Sequence, residues 1–272
     1  MTVVGYPGPA GSHSAAASLV LAPDAAQEPL ASFIAVAEAA VAGTVTMGVL
    51  PIENSLHGPV AETHDLLYEA PLSIVSEVTL PIIHCLLAKT PIQPSEVTKL
   101  RSNSVAFDQC REFVHASRAV CFPAATTAEA AREVADSDDL TEAAIASADA
   151  AARYGLYVIS PDVGDHTAFT RFVGIAPYTR VERAPRWRTA FSFITDHQPG
   201  SLYHALGPFH RHGLNLVQLV SRPIPQSTFR YRFDVVVDGH PLDAELQHAF
   251  GEMREWTREI RIFGSYAATG DH

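Results

Sequence analysis

Short apolar runs alternate with longer alanine-rich segments along residues 2–176. The apolar runs are typical of buried strands, and the alanine-rich segments have the length and composition of helices. The predicted strands are residues 3–6, 45–50, two runs within 72–89, 99–102, 119–122, 143–147, 156–160 and 169–175. The predicted helices are residues 11–21, one that follows a cap at Ser32 and runs to about 42, 58–70, 103–115, one capped at Thr127, and 148–154. This alternation predicts an α/β fold with two lobes and a cleft between them.

A different order of elements follows residues 178–188, a basic, proline-containing stretch without periodicity that we interpret as a linker. The predicted strands are then 189–195, 214–222, 230–237 and 257–263, and the predicted helices are 199–212 and 241–253. The resulting β-α-β-β-α-β order is the ferredoxin-like arrangement. We therefore predict one domain over residues 1–178 and a second over residues 188–272.

Composition and charge narrow the function classes. The chain has 272 residues, with 30 acidic against 19 basic side chains and a formal charge of −11. That charge repels polyanions, so neither nucleic acid nor an anionic membrane is expected as the main partner. No apolar run is long enough for a membrane span, and no secretory leader is evident. Three cysteines without a C-x-x-C pair favour a cytoplasmic location, and no metal-binding spacing is present.

The polar turn after the strand at 45–50 is the most informative motif. Glu53, Asn54 and Ser55 stand together there, before Gly58. Ligands of α/β proteins usually bind at the carboxyl ends of strands, where such groups can contact them. The same residue types also form ordinary turns, so the residues alone leave both interpretations open.

Three further segments carry weaker signals. Residues 5–14 form a glycine-rich turn whose N–H groups could hold an anion, although its spacing is not a dinucleotide fingerprint and a plain loop is favoured. Thr170 and Arg171 are adjacent in a predicted strand, so they should point to opposite faces. Ser102 or Asn103 is expected to cap the following helix. His64 and His84 are expected to be packed or surface residues rather than catalytic bases.

Taken in order, these segments resemble the prephenate dehydratase family with a C-terminal ACT domain, over almost the whole chain. The matching segments are Gly8-Pro9-Ala10-Gly11-Ser12, Val49 to Ser55 with Gly58 and Asp65-Leu66-Leu67, Ser102 with Gln109-Cys110, Thr126-Thr127-Ala128, Ala144 to Ser147 with Tyr154-Gly155-Leu156, and Thr170-Arg171-Phe172. In the last part of the chain, Pro199 to Leu202 and Ser221-Arg222-Pro223 resemble the phenylalanine-binding segments of the ACT domain.

The resemblance implies a fold and an activity. The fold is a two-lobed α/β region similar to periplasmic binding proteins, followed by a ferredoxin-like ACT domain. The activity is decarboxylation of prephenate coupled to loss of its ring hydroxyl, without a cofactor or metal. The catalytic residues it implies are Thr170, Asn54, Ser102 and Gln109, and Glu53 beside them is a further candidate.

Substrate and effector contacts are expected at separate sets of residues. Arg171 is our candidate for a substrate carboxylate, because guanidinium groups bind carboxylates in a bidentate manner. Ser12, Ser55 and Phe172 are further candidate substrate contacts. The candidate phenylalanine-binding residues are Gly200, Ser201, Leu202, Asn215, Leu216, Ser221, Arg222 and Pro223. A homodimer or homotetramer that binds phenylalanine between subunits is expected.

Departures from the family pattern leave alternatives open. Asn103 and Ser104 stand where the family has His and Pro, His13 replaces an aromatic residue, and Val220 replaces a glutamate. An arogenate dehydratase, a prephenate decarboxylase of secondary metabolism and a non-enzymatic small-molecule sensor remain alternatives. The retained Thr170 argues against a decarboxylase, which needs no donor to expel water.

Overall fold

A computed structural model describes residues 2–177, 186–224, 227 and 230–268. The strands are β1 Val3–Pro7, β2 Ala26–Leu30, β3 Met47–Asn54, β4 Gly58–Pro59, β5 Ser73–Ile82, β6 Cys85–Ala88, β7 Lys99–Ser102, β8 Val120–Pro123, β9 Glu142–Ala146, β10 Tyr157–Ser160, β11 Ala168–Ala176, β12 Trp187–Thr195, β13 Leu216–Pro223, β14 Tyr231–Asp238 and β15 Thr257–Ala267. The helices are α1 His13–Leu21, α2 Phe33–Ala42, α3 Ala61–Glu69, α4 Ser104–Gln109, α5 Arg111–Ser117, α6 Thr127–Asp136, α7 Ala148–Tyr154, α8 Ser201–Arg211 and α9 Ala244–Met253. Within the described residues, no helix is long and apolar enough to cross a membrane.

The first lobe is built on a mixed sheet with the strand order β2-β1-β3-β11-β5, to which β4 adds beside β3. Strand β1 runs parallel to β2 and β3, whereas β11 runs antiparallel to β3 and β5. Because β11 comes from much later in the chain, the first lobe is completed only after the second lobe has been traversed.

The second lobe has the sheet order β10-β6-β9-β7-β8. The chain crosses between the lobes twice, at residues 83–84 and at residues 161–167. The two crossings are joined where the Val163 N–H donates to the His84 carbonyl at 2.8 Å. Two α/β lobes linked by two crossing segments confirm the expected fold class, and they place a cleft between the lobes.

A third sheet, with the order β13-β14-β12-β15, carries α8 and α9 in the predicted strand and helix order. Its core contains stacked aromatic rings, among them Phe191 and Phe209 at a centroid distance of 5.6 Å. The predicted linker ends too late, because Trp187 and Arg188 belong to β12 and are buried. The rest of that segment, residues 178–185, lies outside the described residues.

The third sheet packs tightly on the first lobe. Ile74 of β5 shares a buried cluster with Ala190, Phe263 and Tyr266 of the third sheet. Gly264 has φ +144°, and a Cβ there would lie 2.2 Å from the Ile74 carbonyl oxygen. Only glycine therefore allows β15 to approach β5 so closely.

Several local features differ from the predictions made from the sequence. Strand β2 was not predicted, because it contains Pro29 and lacks apolar alternation. It forms a strand through its parallel pairing with β1. The predicted helix 103–115 is two helices that meet at Cys110, whose φ and ψ of −124° and 34° are not helical. Thr126, rather than Thr127, caps α6 by accepting the Glu129 N–H. The predicted helix 58–70 begins instead with the short strand β4.

We predict that the buried ion pair between Arg188 and Glu77, with a Nη1–Oε1 distance of 2.5 Å, is needed to hold the third sheet on the first lobe. Arg188→Met leaves the Glu77 carboxylate buried without its guanidinium, which should lower the free energy of unfolding by about 3 kcal/mol in urea denaturation. The double variant Arg188→Met/Glu77→Leu should recover much of the loss. Arg211→Met removes an exposed ion pair as a control and should have a much smaller effect. Equal losses in Arg188→Met and Arg211→Met would contradict the prediction.

Candidate active site

A cleft of about 460 Å³ lies between the two lobes. Its polar walls come from the starts of four helices, from the turn after β3, from the first crossing segment and from β11. The polar lining residues are Ser12, His13, Ser14, Ser32, Asn54, His57, His84, Asn103, Gln109, Thr126, Thr127 and Thr170.

Asn54 and Thr170 face each other across the β3–β11 pair. The Asn54 side-chain oxygen accepts the N–H groups of Leu56 and His57, each at 3.0 Å, which fixes the orientation of the amide. The Asn54 amide Nδ2 then donates to Thr170 Oγ1 at 2.9 Å. Since this bond uses a lone pair of the hydroxyl, the Thr170 proton remains available for donation into the cleft.

Gln109 lies between two histidines. His84 Nε2 is 2.7 Å from Gln109 Oε1, and Gln109 Nε2 is 3.1 Å from His57 Nδ1. His84 is buried, as expected for a packed residue, but it also lines the cleft. His57 also lines the cleft and was not predicted to do so, although its position in the Glu53–Gly58 turn was an available signal.

The described lining contains no Asp, Glu, Lys or Arg. Positive potential comes instead from the N-termini of α1, α2 and α6, whose capping residues Ser12, Ser32 and Thr126 all line the cleft. Burial, with a smaller contribution from His84, lowers the pKa of His13 to about 4, so this imidazole is neutral at pH 7. In the described part of the chain, no group of three or more His, Cys, Asp or Glu is placed to hold a metal ion.

The glycine-rich turn of the first lobe also contacts the second lobe. Its Gly11 carbonyl accepts from Ser147 Oγ at 2.9 Å, and its Ala10 carbonyl accepts from the Tyr154 hydroxyl at 3.0 Å. Gly11 has φ +85°, and a Cβ there would lie 3.0 Å from Ala150 Cα. The backbone of the turn thus contacts the side chains of Ser147 and Tyr154, which lie in two further segments of the family resemblance.

Three predicted site residues lie on the other face of the first-lobe sheet. Arg171 pairs with Glu53 at 3.4 Å, and both line a separate hollow with Ser55. Because side chains alternate along β3 and β11, residues next to Asn54 and Thr170 point away from the cleft. The structure therefore corrects the expectation that Glu53, Ser55 and Arg171 join Thr170 in one site.

Ser102 is also outside the cleft. It is fully buried, and its hydroxyl donates to the Ile145 carbonyl at 2.7 Å. Asn103, the next residue, caps α4 and lines the cleft in its place. Ser12 and Phe172, the two remaining candidates, both line the cleft.

The candidate effector residues on β13 lie at its two ends, with Asn215 and Leu216 at the start and Ser221, Arg222 and Pro223 at the end. Gly200, Ser201 and Leu202 begin α8, which follows β12, and Ile194 near the end of β12 is in one row of the sheet with Arg232 and Arg222. Arg222 lies six positions after Leu216, or roughly 20 Å at about 3.3 Å per residue. One chain therefore does not bring the two ends of β13 together.

Arg222 and Arg232 bind Asp65 on α3 of the first lobe. Arg222 Nη2 is 2.6 Å from Asp65 Oδ2, and Arg232 Nη2 is 2.8 Å from Asp65 Oδ1. Although burial opposes the effect, these hydrogen bonds lower the pKa of Asp65. Next to it, His64 Nδ1 lies 3.0 Å from Asp234 Oδ2. Strand β13 thus contacts α3, the helix that follows the Asn54 turn.

Comparison with known proteins gives one consistent family. The sequence model described as prephenate dehydratase matches residues 4–179. The arogenate dehydratase/prephenate dehydratase 1 of Arabidopsis thaliana is 32% identical over 279 residues, which covers 97% of this chain and 71% of the relative.

Two solved structures are similar in fold over 98% of this chain. The prephenate dehydratase from Arthrobacter aurescens in complex with L-Phe superposes with a TM-score of 0.88 at 31% identity, covering 98% of this chain and 90% of that one. GqqA, described as a novel type of quorum quenching acylase, has a TM-score of 0.88 at 30% identity and 98% coverage of both chains.

The lowered pKa of His13 predicts a pH dependence of stability. The unfolded chain binds a proton at His13 near its ordinary pKa of 6.5, whereas the folded chain resists protonation down to about 4. The free energy of unfolding should therefore fall as the pH drops from about 6.5 to 4, by at most about 1.4 kcal/mol per pH unit from this group.

Urea unfolding of the wild type and of His13→Phe at several pH values tests this effect. The Phe variant should lose less stability between pH 6.5 and 4.5, while the exposed control His115→Asn should follow the wild type. Parallel curves for His13→Phe and the wild type would contradict the prediction.

Proposed function

This chain belongs to the prephenate dehydratase family, and we propose that its interlobe cleft converts prephenate to phenylpyruvate, carbon dioxide and water. The observation that carries the proposal is the Asn54–Thr170 pair, which presents a hydroxyl donor inside a cleft lined by helix N-termini. Aromatisation of the ring drives the reaction, so the protein has to orient a dianion and help the ring hydroxyl to leave.

The positive electrostatic potential of the cleft suits an anionic substrate. Three helix N-termini and neutral donors attract anions locally, against the net charge of −11 of the whole chain. Arogenate differs from prephenate by an ammonium group, which is best bound by a carboxylate. Since the described lining has no Asp or Glu, we propose that prephenate is preferred over arogenate.

Thr170 acts on the departing oxygen. As the bond to the carboxylate carbon breaks, its electron pair enters the ring, and the ring C–O bond breaks to release hydroxide, which becomes water on protonation. A donor placed at that oxygen stabilises charge that develops only in the transition state. Asn54 positions this donor, because its fixed amide holds Thr170 Oγ1 from the other side.

The acylase activity named for GqqA is not favoured by this geometry. Acyl transfer by a hydroxyl needs an adjacent base to take its proton. Here the Thr170 hydroxyl is bound to an amide, and the His57 and His84 rings contact amides of Asn54 and Gln109. The geometry supports donation by Thr170 rather than nucleophilic attack.

Product identification tests the proposed function. Incubation with prephenate should yield phenylpyruvate, with a higher kcat/KM than the same assay with arogenate. Thr170→Ala should lower kcat by about 100- to 1,000-fold, as for loss of one oxyanion donor, while Thr170→Ser should keep much of the activity.

Thr195→Ala, in the third sheet, serves as the matched control and should leave turnover unchanged. A non-aromatic decarboxylated product would instead indicate the decarboxylase alternative. Binding of prephenate without turnover, unaffected by Thr170→Ala, would indicate a sensor.

We further propose that the third sheet is an ACT regulatory domain that binds phenylalanine between two subunits. Its element order and the superposition on the L-Phe complex of the Arthrobacter relative support this proposal. Because Asn215 and Leu216 lie at the opposite end of β13 from Ser221, Arg222 and Pro223, a site that uses both ends needs a second chain. Strand β13 is at an edge of its sheet in the described structure, so it is open to pairing with another copy.

The Asp65 contacts connect β13 to α3, the helix next to the cleft. Arg222 lies at the end of β13, and Asp65 lies on α3, which follows directly after the cleft residues Gly58 and Pro59. A shift of β13 on phenylalanine binding would thus move α3 and the turn that holds Asn54.

We predict that Asp65→Asn uncouples inhibition from binding. Calorimetry should show phenylalanine binding within about threefold of the wild type, whereas inhibition of turnover should be weakened by tenfold or more, a coupling loss of about 1.4 kcal/mol. Glu69→Gln, an exposed change on the same helix, should behave like the wild type. Unchanged inhibition in Asp65→Asn would refute the coupling route, and absence of phenylalanine binding would refute the regulatory role.

A further inference from the structure

His57 is an exposed residue at the edge of the cleft to which the proposed reaction assigns no role. In this chain the imidazole Nδ1 lies 3.1 Å from Gln109 Nε2 and 3.4 Å from Asn54 Oδ1. His57 of the first lobe thus contacts Gln109 of the second lobe across the cleft.

The hydrogen bonds around Gln109 determine which nitrogen of each histidine carries the proton. Burial lowers the pKa of His84, so its ring is neutral. The short 2.7 Å contact is satisfied when His84 Nε2–H donates to Gln109 Oε1. The reversed amide would place the His84 proton on Nδ1, a buried atom without a hydrogen-bond partner among the described residues. A buried N–H without an acceptor is costly, so the first arrangement is favoured.

The same arrangement of Gln109 also determines which nitrogen of His57 carries the proton. With its oxygen toward His84, Gln109 presents its NH₂ group to His57 Nδ1, which must then be the accepting nitrogen. The contact from Nδ1 to Asn54 Oδ1, at 3.4 Å, is too long to compete. A neutral imidazole has one donor and one acceptor, so the proton of His57 is on Nε2, on the ring edge that faces away from these amides.

We propose that His57 binds a carboxylate of the substrate through its Nε2–H, with Gln109 holding the ring in this tautomer. The inference rests on the proposed function for its ligand. The His57 Nε2–H is a directional donor in a cleft whose described lining has no lysine or arginine. This role also explains why the His57 ring lies at the cleft edge with its Nδ1 atom on Gln109 and its Nε2 atom directed away from both amides.

Two amide substitutions separate substrate binding from positioning of Gln109. The amide of His57→Asn stands near the Nδ1 position and keeps a partner for Gln109, but it does not reach the Nε2 position. The amide of His57→Gln reaches the Nε2 position and keeps a donor for the substrate. Because His57 is exposed, both variants should fold, and thermal melts check this. His115→Asn, an exposed change in the second lobe, is the matched control.

Steady-state kinetics with prephenate should show KM raised by about tenfold in His57→Asn, or about 1.4 kcal/mol, with kcat changed by less than threefold. His57→Gln should keep KM within about threefold of the wild type. Calorimetric binding of prephenate to Thr170→Ala and to Thr170→Ala/His57→Asn should show the same tenfold difference without turnover.

Wild-type behaviour of His57→Asn would overturn the inference and leave the proposed function intact. Loss of kcat in His57→Gln with a normal His57→Asn would also overturn it, because His57 would then act only through Gln109. Failure of the wild type to bind prephenate would overturn both proposals, whereas binding without turnover would refute only the proposed reaction.

Discussion

The insertion of β11 between β3 and β5 is the interaction on which the rest of the structure depends. It completes the first lobe after the chain has passed through the second, so it fixes both crossings and the cleft between them. Its register places Thr170 opposite Asn54 on the cleft side and Arg171 opposite Glu53 on the other. A slip of one residue in β11 would turn Thr170 away from the cleft and bring Arg171 to the cleft side in its place.

In the described lining of the cleft, the groups that can attract an anion are dipoles rather than cationic side chains. Helix N-termini from both lobes converge on the site, and neutral amides, hydroxyls and imidazoles complete its lining. Such groups have fixed directions, whereas a flexible lysine or arginine would balance charge without defining geometry. Under the proposed function, these dipoles attract the anionic substrate locally, although the chain as a whole carries a formal charge of −11.

The contact between the third sheet and the first lobe combines close backbone packing with buried charge. Gly264 lets β15 touch β5, and the Arg188–Glu77 pair and the Arg222–Asp65–Arg232 group lie at the same boundary. Buried ion pairs add little net stability, because their desolvation offsets much of their attraction, but loss of one partner leaves a buried charge unpaired. Under the proposed regulation, a shift of β13 would be transmitted through these contacts to α3.

The sequence by itself determined the two-lobed α/β region, the β-α-β-β-α-β order of the last part, and the Asn54 turn and Thr170 strand, because these follow from local periodicity and capping. Only the tertiary structure decided that Glu53, Ser55 and Arg171 leave the cleft, that the Ser102 hydroxyl is used by Ile145, and that His57 and Gln109 meet across it. Strand β2, with its proline, likewise exists only because β1 pairs with it. Local pattern fixes which face of a strand a residue occupies relative to its neighbours, but the face that becomes a cleft depends on strand pairing between residues more than a hundred positions apart, such as Asn54 and Thr170.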